Sequence, residues 1–126
     1  TRDFSAFLAV PSAIDFMEEH DWNSKRLSCQ KKTIYWAKRL KSTFGFEPIT
    51  PIDSEFIGQM FSMPIKTNDL VALKEALFNR FRIEIPVFLN HQDAFIRFSY
   101  QVFNTDDDME HLLTSLQQLQ KEKYFR

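Results

Sequence analysis

Glycine is scarce in this chain, at two of 126 residues. Backbone that wraps a phosphate closely or turns repeatedly at positive φ uses glycine, so no glycine-rich phosphate loop is available here. Cysteine is scarcer still. The lone Cys29 excludes an internal disulfide, a thiol redox pair and a thiolate metal site, and it fits a reduced, cytoplasmic setting. An excess of one charge is missing too, because 16 basic residues face 17 acidic ones, so neither nucleic acid nor an anionic membrane is implied as a partner. No apolar run approaches the length of a membrane span, and the N-terminus lacks the basic-then-apolar layout of a signal peptide. The chain is expected to be soluble. It starts at Thr1 rather than methionine, and together with the glycine count this reads as a piece of something longer.

What is present is an ordinary apolar content, 44% of residues, in a length that suits one domain and not two. From Asp3 to about His20, Phe7, Val10, Ile14 and Met17 recur at helical spacing, with Pro11 predicting one bent helix or two short ones. Asp21 to Ser24 supply capping residues for a second helix. Its expected buried stripe is Leu27, Ile34, Ala37, Leu40 and Phe44, and Gly45 ends it. After an irregular stretch through Pro48 and Pro51, a strand is predicted at about residues 55–64. Thr67 or Asn68 then caps a helix with Leu70, Leu73, Leu77 and Phe81 inside.

Ile83, Ile85 and Val87 alternate as a second strand, which Pro86 assigns to an edge. Asn90 to Asp93 form a polar turn into a third strand, making an antiparallel hairpin. Thr105 followed by three aspartates opens a last helix with Met109, Leu112, Leu113, Leu116 and Leu119 buried, and the residues from Lys121 onward are expected to fray. The fold class is α+β: a small, mainly antiparallel sheet of about three strands with helices packed on one face and the other face free.

The stretch from Phe95 to Thr105 carries the chemistry. Alternation puts Ile96, Phe98, Tyr100 and Val102 on one face and Arg97, Ser99 and Gln101 on the other. A guanidinium held on a rigid strand and aimed away from the core suits recognition of a planar carboxylate. A solvated arginine, or an ion pair to Glu84 across the hairpin, are the alternatives.

Arg97-x-Ser99 on a strand, followed by Phe103-Asn104-Thr105 at a helix start, resembles the C-terminal domain of class V aminotransferases, which are pyridoxal-phosphate enzymes of fold type I. The opening Thr1-Arg2-Asp3, the run Phe7 to Ile14 and then Glu19 to Trp22 resemble in particular the isopenicillin N epimerase-like branch, and Arg82 to Val87 extends the match over essentially the whole chain. The resemblance implies that residues 1–126 are a single small C-terminal domain of a larger enzyme, with leading helices over 1–44 and an α/β sandwich over 45–126. It implies that Arg97 holds the α-carboxylate of an amino-acid substrate. Thr1 corresponds to a threonine that contacts the cofactor phosphate of the neighbouring subunit, although the glycine that normally precedes it is not in this chain, and Arg2 beside it could add charge there. Phe103 stands where many relatives carry tyrosine.

The same resemblance implies pyridoxal 5'-phosphate in the parent and none bound to this chain alone, since no lysine here lies in a recognisable cofactor motif. The chain is expected to be inactive by itself and to be completed by the missing large domain, within a homodimer. Chemistry at the amino-acid α-carbon follows for the parent, with epimerase-like or transaminase-like action ahead of desulfuration because Cys29 lies in a helix and not on a flexible loop. A non-catalytic module that binds a protein or an amino-acid effector is the competing class.

Other chemistry-bearing residues have plainer readings. His20, His91 and His111 lack metal-ligand spacing, Asp106, Asp107, Asp108 and Glu110 lack the pattern and glycine of a calcium loop, and Ser99 has no legible catalytic partners. Asn104 and Thr105 suit strand termination and capping, while Trp22 and Trp36 suit a core or an interface.

Overall fold

The computed structural model describes residues 3–126. Its elements in order are α1 (Ser5–Leu8), α2 (Val10–Glu19), α3 (Trp22–Phe44), β1 (Met60–Ile65), α4 (Leu70–Phe81), β2 (Val87–Asn90), β3 (Asp93–Ser99) and α5 (Asp106–Lys121). The strands form one antiparallel sheet in the order β1-β3-β2. The α+β class expected from the sequence is the one observed.

Register follows from the alternation. Phe61, Met63 and Ile65 of β1 sit opposite Phe98, Ile96 and Ala94 of β3, and all six are buried. This inner face packs on α3 through Trp36, Ala37 and Leu40, on α4 through Leu73, Ala76 and Leu77, and on α5 through Leu112, Leu116 and Leu119, in one continuous core. The other face carries Ser62, Phe95 and Arg97, of which Phe95 is buried and Arg97 half-buried.

Caps set the helix ends. Thr105 and Asp108 form a reciprocal capping box, the Thr105 N–H donating to Asp108 Oδ2 at 2.8 Å and the Asp108 N–H to Thr105 Oγ1 at 3.2 Å. Gly45, at φ 70°, closes α3 in the left-handed region that glycine enters without strain. Pro11, in the first turn of α2, produces two helices rather than one bent one.

Several local expectations are corrected. Asp69, not Thr67 or Asn68, caps α4 by accepting from the Ala72 N–H at 2.9 Å, while Thr67 Oγ1 accepts from the Asp69 N–H. Asp21 takes a left-handed φ of 46° and makes no side-chain cap. Strand β1 starts five residues later than predicted, because Asp53 accepts the Glu55 and Phe56 N–H groups and turns the chain there. Strand β2 covers only Val87–Asn90, since Pro86 has no N–H to give, although its carbonyl still accepts the Arg97 N–H at 3.0 Å. The C-terminus does not fray: Arg126 and Lys66 exchange backbone hydrogen bonds at 2.8 and 2.9 Å, and Phe125 is buried. Leu27 and Val102 are exposed where burial was expected, the first lying before α3 reaches the core and the second following a strand that ends at Ser99.

Leu77 is fully buried in the core, so Leu77→Ala should lower unfolding free energy by about 2–5 kcal/mol in chemical denaturation. Arg80 grips Glu122 with both nitrogens at 2.6 and 2.8 Å, and this pair, with help from Gln118, holds the Glu122 carboxyl down at about 2 from its ordinary 4.5. A carboxyl lowered on folding stabilises above its unfolded value and loses that contribution as pH falls through the folded one. Wild type should therefore melt above Glu122→Gln at neutral pH, with the gap closing as pH drops from 4.5 toward 2. A gap in melting temperature that does not vary across that window would contradict the assignment.

Candidate functional site

Arg97 occupies the central strand, opposite Ser62 of β1 and hydrogen-bonded through its N–H to Pro86. Pairing on both sides leaves its backbone little freedom. Its guanidinium carbon lies 5.4 Å from the centroid of the Phe88 ring, and Phe88 in turn stacks on the buried Phe95 at 5.7 Å. A guanidinium over an aromatic ring offers its face to the π system and keeps edge N–H donors for an acceptor. No ion pair involves Arg97 among the described residues, and the sequence alternative of a bridge to Glu84 does not form. Arg97 and Ser99 share the wall of an open cleft of ≈ 780 Å³ with Met60, Pro86, Tyr100 and Phe103.

The far end of this cleft is fixed by a pairing with Gln59 that sequence reasoning did not single out. Gln101 Oε1 accepts from Gln59 Nε2 at 2.9 Å and from the Val102 N–H at 3.0 Å, while the Tyr100 N–H donates to the Gln59 carbonyl at 2.9 Å. Asn104 Oδ1 accepts from the Gln101 N–H at 2.9 Å, which gives Asn104 the strand-terminating role expected of it. Glutamine pairing across 42 residues leaves no periodic signal in the sequence.

Asp106 is a second convergence. Lys32 pairs with it, and Trp36 Nε1 donates to it at 3.0 Å, with the Tyr100 hydroxyl at 3.4 Å. The Lys32 ammonium first, and the indole N–H next, hold the Asp106 carboxyl below its ordinary value. Burial pushes the Tyr100 hydroxyl up, with the Asp106 charge adding to the effect. The acidic cluster is thus part helix cap and part tie between α3 and α5. No group of residues suited to a metal ion occurs among the described residues.

The remaining candidates separate cleanly. Thr1 and Arg2 lie outside the described residues. The histidines are far apart in role: His20 Nδ1 bonds the Phe16 carbonyl at 2.8 Å, His111 Nε2 bonds the Phe81 carbonyl at 2.8 Å, and His91 turns the hairpin at φ 55°. Ser99 is exposed, and Phe103 is exposed at the mouth of the cleft. Cys29 is buried, with its Sγ 3.8 Å from Gln101 Oε1.

Pyridoxal phosphate does not fit the residues at hand. The cofactor needs a lysine enclosed beside the substrate carboxylate site, and every lysine in the chain is exposed or half-exposed, with none lining the Arg97 cleft. No helix among the described residues is long and apolar enough to cross a membrane.

No protein-family model matches the chain. Over 123 residues it is 35% identical to isopenicillin N epimerase of Amycolatopsis lactamdurans, a match that takes in 96% of this chain and 31% of that protein. A putative L-cysteine desulfhydrase of Oryza sativa subsp. japonica is 26% identical over 144 residues, covering 94% of this chain and 30% of its own length. In structure, 8-amino-7-oxononanoate synthase from Francisella tularensis superposes with a TM-score of 0.66 over 89% of this chain and 32% of that one, at 23% identity. The chain therefore spans about 30% of the length of the curated relatives it matches. In sequence the chain is similar to about 30% of isopenicillin N epimerase and of L-cysteine desulfhydrases, and in structure it shares its α+β fold with part of 8-amino-7-oxononanoate synthase.

Proposed function

We propose that this chain is the substrate-carboxylate-binding domain of a longer pyridoxal-phosphate enzyme that acts at the α-carbon of an amino acid, with epimerase-like chemistry in the lead, and that it is inactive alone. The observation that carries the reading is Arg97: a guanidinium carried on the central strand, lying over the Phe88 ring, and without a carboxylate partner among the described residues. Arginine in such a setting binds a carboxylate through two parallel hydrogen bonds and so fixes the orientation of the amino acid as well as its position. The missing large domain would supply the cofactor and its lysine. A cytoplasmic homodimer is the form the family resemblance carries.

Relatives named for two different reactions leave the bond broken by the parent to experiment. Cys29 is buried on α3 and is not a mobile sulfur carrier, which favours epimerase-like or transaminase-like action over desulfuration from this part of the molecule.

Two measurements test the proposal. The reading frame extended upstream should give a yellow protein, and borohydride followed by peptide mapping should find the reduced cofactor on an upstream lysine; the 126-residue chain mixed with pyridoxal phosphate should trap none at a defined site. A colourless extended protein, even after cofactor addition, would remove the enzyme reading and leave a binding module. In the extended enzyme, Arg97→Ala should lower kcat/KM by about two to three orders of magnitude, with Arg97→Lys recovering only part because an ammonium cannot fork onto a carboxylate. Unchanged kinetics in Arg97→Ala would refute the carboxylate role.

A further inference from the structure

The N-terminal arm is built unlike the rest of the molecule. Neither α1 nor α2 buries a single residue, yet Val10, Ile14 and Met17 form one stripe along α2 with Phe7 a turn before it, and all four are between 45% and 69% exposed. Leu27, in the first turns of α3, is exposed as well, and burial begins only at Cys29. Inside the arm only local contacts operate, chiefly the stacking of Phe16 on His20 at 4.1 Å and its tilted contact with Trp22 at 6.2 Å. A ten-residue helix is shorter than the roughly 12–15 residues needed for marginal stability in water. An apolar stripe on such a helix is stable only against a covering surface.

Two observations choose the occupant. The chain spans about 30% of its relatives, and under the proposed function the rest of the parent precedes it and leads directly into this arm; consecutive elements more often than not pack beside one another. Charge is the second: between Asp3 and Asp21 there are five carboxylates, Asp3, Asp15, Glu18, Glu19 and Asp21, and no lysine or arginine. A second copy seated on the same stripe would bring like-charged rims together.

We infer that the arm is a docking element whose stripe of Phe7, Val10, Ile14 and Met17 packs on the preceding part of the parent polypeptide, at an apolar surface with a basic rim. This rests on the reading of the chain as part of a longer enzyme. The contact is thus placed on α1 and α2, while the outer sheet face carries Arg97 and keeps its proposed role toward substrate.

Amide hydrogen exchange over Val10–Glu19 tests it, measured in the 126-residue protein and in the upstream-extended parent. Exchange in the parent should be roughly tenfold or more slower, and in the 126-residue protein it should be fast at every concentration. Ile14→Asp should restore fast exchange to the arm of the parent while leaving protection at Leu77 and Leu119 intact. Equal exchange in the two proteins would overturn the docking, whether or not the parent traps pyridoxal phosphate. Slow exchange that appears in the 126-residue protein only on concentration would assign the stripe to a second copy and overturn it as well. A parent that protects the arm but traps no cofactor would support the docking and defeat only the enzyme reading.

Discussion

Strand β3 lies between β1 and β2, and its inner face of Ala94, Ile96 and Phe98 closes the core from above. Because side chains alternate strictly, slipping this strand by one residue would turn Ile96 and Phe98 off the core face and drive Arg97 into the apolar core. Each large side chain so exposed costs about 1.5–3 kcal/mol, and an unpaired buried guanidinium costs several more. The direction of Arg97 is therefore dictated by the core residues on either side of it in β3. Phe88 then narrows that direction by offering a ring for the guanidinium to lie over.

The helices are aligned by a smaller set of polar ties. Lys32 with Asp106 and Arg39 with Glu110 join α3 to α5, and Arg80 with Glu122 joins α4 to the end of α5. All of these side chains are about 36–48% exposed, so they contribute little to stability and act mainly on orientation. Trp36 adds a more protected link, its ring in the core and its indole N–H on Asp106. The backbone pairing of Arg126 with Lys66 seats Phe125 under the same sheet.

A division of labour follows from what this part of the molecule contains. It has an arginine held on the central strand without an ion-pair partner among the described residues and no buried lysine, and its relatives are about three times as long. Under the proposed function, the group that orients an amino acid would be separated from the group that reacts with it, and the geometry of the reacting bond would depend on how the two parts dock. The exposed stripe on α2 is consistent with that arrangement, because a well-packed small domain has no reason of its own to keep four large apolar side chains half in water.

Much of this was written locally in the sequence. The alternation of Phe61 through Ile65 and of Ala94 through Phe98, the leucine spacing of α4 and α5, the capping box of Thr105 and Asp108, and Gly45 as a helix stop all depend on neighbours within a few residues, and period and capping chemistry are legible at that range. The direction of Arg97 followed from the same alternation. What a residue faces across the fold was not legible. Helical spacing alone cannot say whether a stripe such as Phe7 to Met17 has a partner, and it gave Leu27 a core it does not reach. Nor does local pattern mark the Phe88 ring beneath Arg97, the Gln59–Gln101 pair or the seat of Phe125. Those were decided by tertiary structure, because each is a contact between segments whose separation along the chain carries no periodic trace.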